Sequence, residues 1–373
     1  MTKMLSVDPR FAAHFSKLKQ VFLYLVDRCN LRCTHCLYKS ILDGDGRKKE
    51  IGFAQVLALL NTFRSLGASK LTIMGGEPTL YDEKHNHEMF FSLIERAKLY
   101  GYEYIRMDTN GLFPSEMLMD RRVRQLDEIT FSLDGPSKDI NDGLRGKGVF
   151  DRCVANIRKA VASGYNVNVT CCVHRGFTTA GCAPSVLLDR FILLMESIGV
   201  QRVNFRPVFK MGIARDTWSG DTDISPDLWI QLQRILTGNI DRKRYAVPVR
   251  VPKRFATDPE FDENPDYYGY CSAKLGERVL VHPDGTIRIC ALHIGTSFGV
   301  AKYDTEKIVW NDESSNELRQ LILNKSTPCS NQRCTETGLV PLCISFKPNQ
   351  DEFVWKEKLV WERRREAVLD AST

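Results

Sequence analysis

Short β-type runs and amphipathic helical stretches alternate through the first two hundred residues, and this alternation constrains the fold more than any other feature. The β-type runs lie at 21–26, 70–74, 103–108, 128–133, 166–173 and 201–206. Helical periodicity lies between them at about 51–66, 86–99, 115–125, 150–163 and 184–198. Repeated βα units predict an α/β fold with a parallel sheet, either doubly wound or curled into a barrel. Six units are two short of the full eight-fold barrel.

The chain changes character after this alternating part. Residues 213–264 are predicted to form a helical linker region, with a helix near 226–238 and a Pro/Asp-rich linker at 256–266. Residues 278–290 carry two β-rich runs around a Pro-Asp-Gly turn, the pattern of a β-hairpin. We therefore expect an α/β domain over 1–212, a small α+β Cys-rich domain over 265–350 and an amphipathic helix over 351–373.

Charge and hydropathy exclude several classes of protein. Lysines and arginines number 52 against 46 acidic residues, and the resulting charge of +6 is spread along the chain. Specific nucleic-acid binding would be indicated by a clustered basic stripe, which this sequence lacks. The apolar runs are shorter than the roughly 18 residues that a membrane span requires, and the N-terminus has no apolar signal segment. We expect a soluble, cytoplasmic protein with no membrane partner.

The chain has 12 cysteines, and three of them follow the first β-type run at close spacing. Clustered cysteines in a cytoplasmic protein indicate metal binding or catalysis rather than disulfides. Cys29, Cys33 and Cys36 have the spacing C-x3-C-x2-C, which can bring three thiolates to one corner of an iron–sulfur cube. Four thiolates would saturate a [4Fe–4S] cluster, so three leave one iron open for a catalytic ligand. The alternatives are a zinc site with His35 as fourth ligand, or packed thiols.

This cysteine spacing after the first strand of a six-unit βα chain resembles the radical S-adenosylmethionine (SAM) superfamily, over residues 20–210. The resemblance implies a partial (β/α)6 TIM-like barrel in which the open iron binds the amino and carboxylate groups of SAM. It also implies reductive cleavage of SAM to methionine and a 5′-deoxyadenosyl radical, which abstracts a substrate hydrogen. A flavodoxin- or ferredoxin-type protein is the reductant that this chemistry implies.

A second motif of that superfamily follows the second β-type run. It is the GGEP sequence of Gly75, Gly76, Glu77 and Pro78. Glycines allow the backbone to approach a ligand closely, and Glu77 can pair with the SAM ammonium group. The resemblance implies further cofactor contacts from residues at the ends of the other strands and in the cysteine loop, namely His35, Asp108, Asn110, Ser132, Asp134 and Val173.

The remaining clustered cysteines lie late in the chain. Cys271, Gly285 and Cys290 have the spacing C-x13-G-x4-C, which resembles the opening of the SPASM/twitch extension of radical SAM enzymes. Cys329, Cys334 and Cys343 match that extension less well, because full SPASM domains carry seven cysteines. The resemblance therefore implies one auxiliary [4Fe–4S] cluster held by the first two cysteines and two of the last three. A zinc site or unmetallated thiols are the alternatives.

Strand alternation predicts which side chains face the interior of the barrel. In a buried parallel sheet the polar phase should face the lumen, and this phase contains Arg106, Cys172 and Arg206. Two arginines favour a carboxylate- or phosphate-bearing partner, although one of them can serve the SAM carboxylate. An inward Cys172 thiol can return a hydrogen atom to a substrate radical, and the alternative is a small core residue.

The leading hypothesis is a radical SAM oxidoreductase or transformase acting on a natural-product or sugar- or aminocyclitol-like small molecule. The alternative is a peptide or protein maturase that forms cross-links, thioethers or epimers. The stretch from Asp134 through Asp142 and Arg145 to Phe150 resembles the peptide- and sulfatase-modifying branch, whereas only about 20 residues precede the first strand. Cyclisation of the molybdenum-cofactor type is disfavoured by the cysteine spacing. The rival from another class is a non-catalytic iron–sulfur or zinc-binding module.

Overall fold

The computed structural model describes residues 3–43, 49–208, 223–269, 275–291, 299–312 and 338–342. The strands are β1 (Ser6–Val7), β2 (Gln20–Tyr24), β3 (Lys70–Met74), β4 (Tyr104–Thr109), β5 (Glu128–Ser132), β6 (Val167–Val173), β7 (Arg202–Pro207), β8 (Val249–Arg250), β9 (Phe255–Thr257), β10 (Arg278–Val281), β11 (Thr286–Arg288), β12 (Ala301–Tyr303), β13 (Lys307–Trp310) and β14 (Leu339–Pro341). The helices are α1 (Pro9–His14), α2 (Lys39–Asp43), α3 (Phe53–Ser65), α4 (Glu88–Leu99), α5 (Lys138–Arg145), α6 (Val149–Ala162), α7 (Gly176–Thr179), α8 (Pro184–Ile198), α9 (Pro226–Asp241), α10 (Asp258–Glu263) and α11 (Pro265–Tyr268).

Strands β2 to β7 lie side by side in chain order, and every neighbouring pair is parallel. These are the six β-type runs of the sequence, with ends shifted by one or two residues. The α/β fold with a mostly parallel sheet, typical of a radical SAM partial barrel, is therefore confirmed. None of the described helices is long and apolar enough to cross a membrane.

Apolar and polar side chains alternate along these strands, and the apolar phase faces the helices. Its members are 0 to 2% exposed and belong to one hydrophobic core: Val21, Leu23, Leu71, Ile73, Ile105, Met107, Ile129, Phe131, Val167, Val169, Cys171, Val203 and Phe205. Helix α8 shows how the connections are defined locally. It begins with Pro184 in its first turn and ends at Gly199, which has φ of +89°.

Three local expectations were wrong. The stretch 115–125 forms two short 3-10 helices, Ser115–Met119 and Val123–Gln125, instead of an α-helix. The expected linker at 256–266 contains β9 and α10, because Thr257 and Glu260 form a capping box that starts the helix. The N-terminal residues, for which no element was predicted, supply β1 and α1.

The predicted hairpin is present as β10 and β11, and it continues the barrel sheet rather than standing apart from it. Strand β10 pairs in parallel with β2, and β11, β12 and β13 follow as antiparallel neighbours. Strand β1 then pairs in parallel with β13, so the N-terminus closes this edge. The small C-terminal β region is thus confirmed. The helix expected over 351–373 lies outside the described residues.

Candidate functional site

The loop between β2 and α2 carries the first three cysteines at the carboxyl end of the barrel strands. The Cys29 sulfur accepts hydrogen bonds from the Leu31 N–H, at 3.4 Å, and from Asn110 Nδ2, at 3.6 Å. The Cys36 N–H donates to the Cys33 carbonyl at 3.3 Å, so a tight turn separates the second and third cysteines. The three cysteines thus lie on one short loop, and their joint binding of a metal group stays a prediction.

The surroundings of these thiols fit a metal-bound group. Cys29 and Cys36 pack against an apolar cluster that includes Tyr24 and Tyr38. Burial raises the pKa of Cys29 to about 12 and that of Cys36 to about 11, and it also raises the pKa of Cys33. These thiols would stay protonated on their own at neutral pH. A cationic iron–sulfur core supplies the charge that ionises cysteine ligands, so the donor set suits such a group.

The two glycines of the GGEP turn let that turn pack against the cysteine loop. A Cβ on Gly76 would lie 2.1 Å from the Arg28 carbonyl oxygen, and one on Gly75 would lie 2.9 Å from the Val26 carbonyl oxygen. The N–H groups of Gly76 and Glu77 donate to these same two carbonyls at 2.9 Å. The sequence predicted that these glycines allow a ligand to come close. In the structure, the segment that comes close to them is the backbone leading into Cys29.

Glu77 is 1% exposed, and its carboxylate joins the GGEP turn to the end of β4. Oε1 accepts hydrogen bonds from the Thr79 hydroxyl at 2.7 Å and from the Thr109 hydroxyl at 2.8 Å, and Oε2 accepts from the Asn110 N–H at 2.8 Å. Burial raises the pKa of Glu77, while these hydrogen bonds act to lower it. The predicted contact with the SAM ammonium stays a prediction.

Asn110 connects the end of β4 to the cysteine loop. Its Nδ2 donates to Asn30 Oδ1 at 2.7 Å in addition to the Cys29 sulfur, and its Oδ1 accepts from the Leu112 N–H at 2.8 Å. The sequence predicted Asn110 as a cofactor contact. The structure shows it orienting Cys29, a role that no spacing rule would reveal.

Asp134 lies directly after β5 and has no exposed surface. Its Oδ2 is 2.5 Å from Arg145 Nε and 3.4 Å from His35 Nε2, and its Oδ1 accepts from the Cys172 N–H at 2.7 Å. Burial alone would raise the pKa of Asp134, but Arg145 and His35 outweigh it and the pKa is lowered. The side chain expected to contact the cofactor is therefore occupied by the protein itself.

His35 lies between the second and third cysteines, and its ring is held on one side only. Nε2 faces Asp134, while the buried Nδ1 has no hydrogen-bond partner among the described residues. Burial lowers the pKa of His35 to about 4, so the ring is neutral at pH 7. A neutral ring with a free nitrogen is compatible with the predicted cofactor contact of His35, which stays a prediction.

Two further ion pairs lie on strands β4, β5 and β7. Arg106 Nε lies 2.7 Å from Asp108 Oδ1, and both side chains are partly exposed. Glu128 accepts hydrogen bonds from Tyr104 and Thr130 and lies 3.4 Å from Arg202. The pairing neutralises both charges, and the predicted roles of Asp108 as a cofactor contact and of Arg106 as an anion-binding residue stay predictions.

Arg206 differs from these groups because it has no carboxylate within ion-pair distance in the described part of the chain. Its side chain is exposed to the lumen at the end of β7, next to Cys172 on β6. Surrounding protein, together with Arg106 and Arg278, lowers the pKa of Arg206 from its ordinary value. Cys172 and the Asp108 carboxylate act in the opposite sense on this pKa. Arg206 is thus an exposed cation with two other arginines nearby, where a ligand anion would be stabilised.

Cys172 and Cys171 face opposite sides of β6. Cys171 is fully buried in the core, whereas Cys172 is partly exposed, and its sulfur lies within 4.8 Å of ligand atoms of His35 and Asp134. Burial raises the pKa of Cys172 to about 12, so it is a thiol rather than a thiolate at pH 7. Its role as a hydrogen donor stays a prediction.

The remaining predicted contacts are placed as follows. Ser132 ends β5 and is partly exposed, Pro78 begins a 3-10 turn at Pro78–Leu80, and the Val173 side chain lies in the hydrophobic core. Only a backbone group of Val173 could therefore meet a ligand, and its carbonyl accepts from the Val208 N–H at 2.8 Å.

Of the late cysteines, only Cys290 lies in the described residues. It is 6% exposed, belongs to the main core and directly follows β11 and Ile289. Cys271, Cys329, Cys334 and Cys343 lie outside the described residues.

The motif from Asp134 to Phe150 is explained by local hydrogen bonds. The Asp134 N–H donates to Asn141 Oδ1 at 2.8 Å, and the carboxylate of Asp142 accepts from the N–H groups of Gly148 and Phe150 at 2.7 and 2.8 Å. Arg145 was not predicted as a site residue. Arg145 lies eleven positions after Asp134, a spacing that does not by itself predict contact. The two side chains meet because α5 folds back on the end of β5.

Residues 23–181 match the family profile described as the radical SAM superfamily. Among curated relatives, "Molybdenum cofactor biosynthesis protein 1" of Drosophila melanogaster is 25% identical over 290 residues, which is 75% of this chain and 47% of that protein. "Mycofactocin maturase MftC" of Mycobacterium tuberculosis is 26% identical over 223 residues, or 57% of this chain and 52% of that protein. The chain thus spans about half the length of these two relatives.

Two solved structures are similar in fold. SuiB of Streptococcus suis, bound to its precursor peptide SuiA, superposes with a TM-score of 0.62 at 15% identity, over 83% of this chain and 69% of SuiB. The enzyme anSMEcpe with bound AdoMet superposes with a TM-score of 0.61 at 15% identity, over 94% of this chain and 99% of that one. At this identity the likeness concerns the fold alone.

Proposed function

We propose that this chain, whose residues 23–181 match the radical SAM family profile, is an enzyme that cleaves SAM reductively and uses the radical to abstract hydrogen from an anionic small molecule. The observation that carries the proposal is the cysteine loop, which the GGEP turn and Asn110 hold from two sides. A loop held this rigidly suits the fixed geometry that a catalytic metal group requires.

The residues would divide the task in the following way. Cys29, Cys33 and Cys36 would hold a [4Fe–4S] cluster, which when bound supplies the electron and the open coordination site for SAM. Glu77 and Asn110 keep the loop in place through hydrogen bonds. The β-strands enclose the lumen, which would exclude water from a reactive radical and position one C–H bond of the substrate.

The charge of the lumen supports an anionic substrate. Arg106 and Arg202 are neutralised by Asp108 and Glu128, whereas Arg206 is exposed to the lumen without a carboxylate partner among the described residues. A carboxylate or phosphate is the group that an unpaired guanidinium binds best. We propose a natural-product or sugar- or aminocyclitol-like molecule that carries such a group.

Two comparisons favour specific candidates to be tested first. The Drosophila relative is named for molybdenum cofactor biosynthesis, and "GTP 3′,8-cyclase" of Staphylococcus haemolyticus is among the other relatives, so GTP is one anionic probe. A mycofactocin maturase is also related, so a peptide is the second candidate substrate class. Product analysis by mass spectrometry with GTP, with sugar phosphates and with peptides from neighbouring genes would distinguish these.

A second cluster is also proposed, in a SPASM- or twitch-like region. Cys290 at the exit of the β10–β11 hairpin supports it, together with the spacing of Cys271, Cys329, Cys334 and Cys343. Such a cluster could accept the electron left on a substrate radical. If Cys290→Ala leaves the iron content per chain unchanged, this cluster is ruled out.

The central test is anaerobic reconstitution followed by reduction in the presence of SAM, with chromatography for 5′-deoxyadenosine. Wild-type protein should form it, and the variants Cys29→Ala, Cys33→Ala and Cys36→Ala should not. Cys182→Ala is the matched control, because that free cysteine lies outside the loop. Loaded protein that forms no 5′-deoxyadenosine, or a loop that binds zinc, would favour the non-catalytic metal-binding alternative.

A further inference from the structure

A buried pair of opposite charges lies beside the cysteine loop. The Asp134 side chain is 0% exposed and that of Arg145 is 7% exposed, and the two meet at 2.5 Å between Oδ2 and Nε. Buried ion pairs of this kind contribute little to stability, because the cost of removing both charges from water offsets their attraction. Stabilisation of the fold therefore does not by itself explain why this pair lies beside the cysteine loop.

Asp134 and the residue that precedes Arg145 each contact the cysteine loop. Asp134 Oδ2 lies 3.4 Å from Nε2 of His35, and the Thr34 N–H donates to the carbonyl of Leu144, next to Arg145, at 3.2 Å. Both contacts fall between Cys33 and Cys36. The guanidinium and the carboxylate also act on the Cys33 sulfur in opposite senses, the first favouring and the second disfavouring its negative charge.

We propose that Arg145 and Asp134 are positioning residues that set the reduction potential of the iron–sulfur group held by Cys29, Cys33 and Cys36. This inference rests on the proposed function, since it assumes that the three cysteines hold such a group. Reduction adds one negative charge to the cluster. A nearby cation stabilises the reduced state and a nearby anion destabilises it, and burial strengthens both effects because screening by water is weak.

The two charges therefore oppose each other, and removing either one should reveal the other. Arg145→Met leaves the Asp134 carboxylate unopposed, so reduction becomes harder and the potential moves to more negative values. Asp134→Asn leaves the Arg145 guanidinium unopposed, so the potential moves to more positive values. The double variant should lie between the two. Arg145→Lys keeps the charge and should stay close to wild type.

The experiment is a redox titration of the reconstituted full-length protein. The reduced cluster is monitored by its EPR signal, identified as the signal that changes when SAM is added. Lys138→Met is the matched control, because it removes one positive charge from the same helix α5 at a side chain that is 64% exposed and paired with Asp151. We expect no shift for this control. Shifts of opposite sign for Arg145→Met and Asp134→Asn would support the inference, because a purely structural role cannot produce them.

Shifts in the same direction, or no shift in either variant, would overturn it. If Arg145→Met does not fold, Asp134→Asn and Arg145→Lys still decide, since a positive shift is required of the first and none of the second. Different results would contradict the proposed function and this inference. Wild-type protein without a SAM-responsive EPR signal would contradict the proposed function, whereas wild-type cleavage of SAM with unshifted variants would contradict only this inference.

Discussion

Two sets of charged groups, those at the cysteine loop and those along strands β4 and β7, differ in how their charges are compensated. At the cysteine loop, Glu77 and Asp134 are 1% and 0% exposed and their oxygens accept hydrogen bonds from neighbouring strands and turns. Along β4 and β7, the Arg106–Asp108 pair is partly exposed and Arg206 has no carboxylate partner among the described residues.

The difference indicates that the first set holds the cysteine loop in position and that the second set is available to bind a substrate. Buried carboxylates that are fully hydrogen-bonded resist movement, because displacing them leaves charges unsatisfied. An exposed, uncompensated cation is stabilised only when something brings it a negative charge. We therefore expect changes at the cysteine loop to affect metal content and folding, and changes at the charged groups of β4 and β7 to affect substrate binding.

The largest effect should come from Gly76→Ala at the cysteine loop. Its Cβ would lie 2.1 Å from the Arg28 carbonyl oxygen, so the backbone before Cys29 must move. We expect bound iron to fall and SAM cleavage to drop by about 100-fold, since a displacement near 1 Å costs roughly that much. Gly143→Ala is the control, because a Cβ there meets nothing within 4 Å. Equal iron content in both variants would contradict the assignment.

The second largest effect should be a loss of folding stability in the variant Glu77→Gln. The amide would place a donor against the hydroxyls or the N–H groups that now donate to the carboxylate. We expect the free energy of unfolding to fall by about 2 kcal/mol, the usual contribution of hydrogen bonds to a charged group. Urea denaturation measures this, with the exposed Glu88→Gln as control. An unchanged midpoint for Glu77→Gln would show that the turn is held by backbone contacts alone.

A pH-dependent effect should appear at Glu128. Burial would raise the pKa of Glu128, but Arg202, Arg106 and the hydroxyls of Tyr104 and Thr130 outweigh it, so the pKa lies well below its usual range. The ionised group thus stabilises the fold above the ordinary carboxyl pKa of about 4.3, and this contribution is lost as the pH falls further.

Glu128→Gln should therefore lower the free energy of unfolding by about 2 kcal/mol at pH 7. The difference from wild type should shrink as the pH falls below about 4, because the carboxylate then takes up a proton in the unfolded chain while it stays ionised in the folded protein. Urea denaturation at both pH values measures it. A difference that is constant with pH would mean that the charge of Glu128 does not contribute.

Arg206→Met should change folding stability least among these variants. Its main effect should be weaker binding of anions. We expect binding of GTP or pyrophosphate to weaken about tenfold, since one charge-assisted hydrogen bond contributes near 1.5 kcal/mol. Calorimetry measures the binding, with the exposed Arg190→Met on α8 as control. Equal binding by Arg206→Met and wild type would remove the argument for an anionic substrate.

The parallel sheet and the cysteine loop could be predicted from the sequence because both depend on local order. A run of five to seven β-forming residues predicts a strand, and three cysteines within one loop predict a metal site. Neither prediction depends on where distant parts of the chain lie. The 3-10 turns at 115–125 and the capped helix α10 were missed because competing local signals, helical periodicity in one case and Pro/Asp content in the other, favoured different structures.

Spacing and alternation alone determined that three thiols follow the first strand of the parallel sheet and that apolar and polar side chains alternate along its strands. Only the tertiary structure decided that Gly76 faces the backbone of Arg28, that Asp134 meets Arg145, and that Arg206, among the residues the structure describes, lacks a carboxylate partner such as Arg106 has. The physical reason is that a charge or a missing Cβ acts through what lies within a few ångströms of it. That neighbourhood is brought together by segments tens of residues apart.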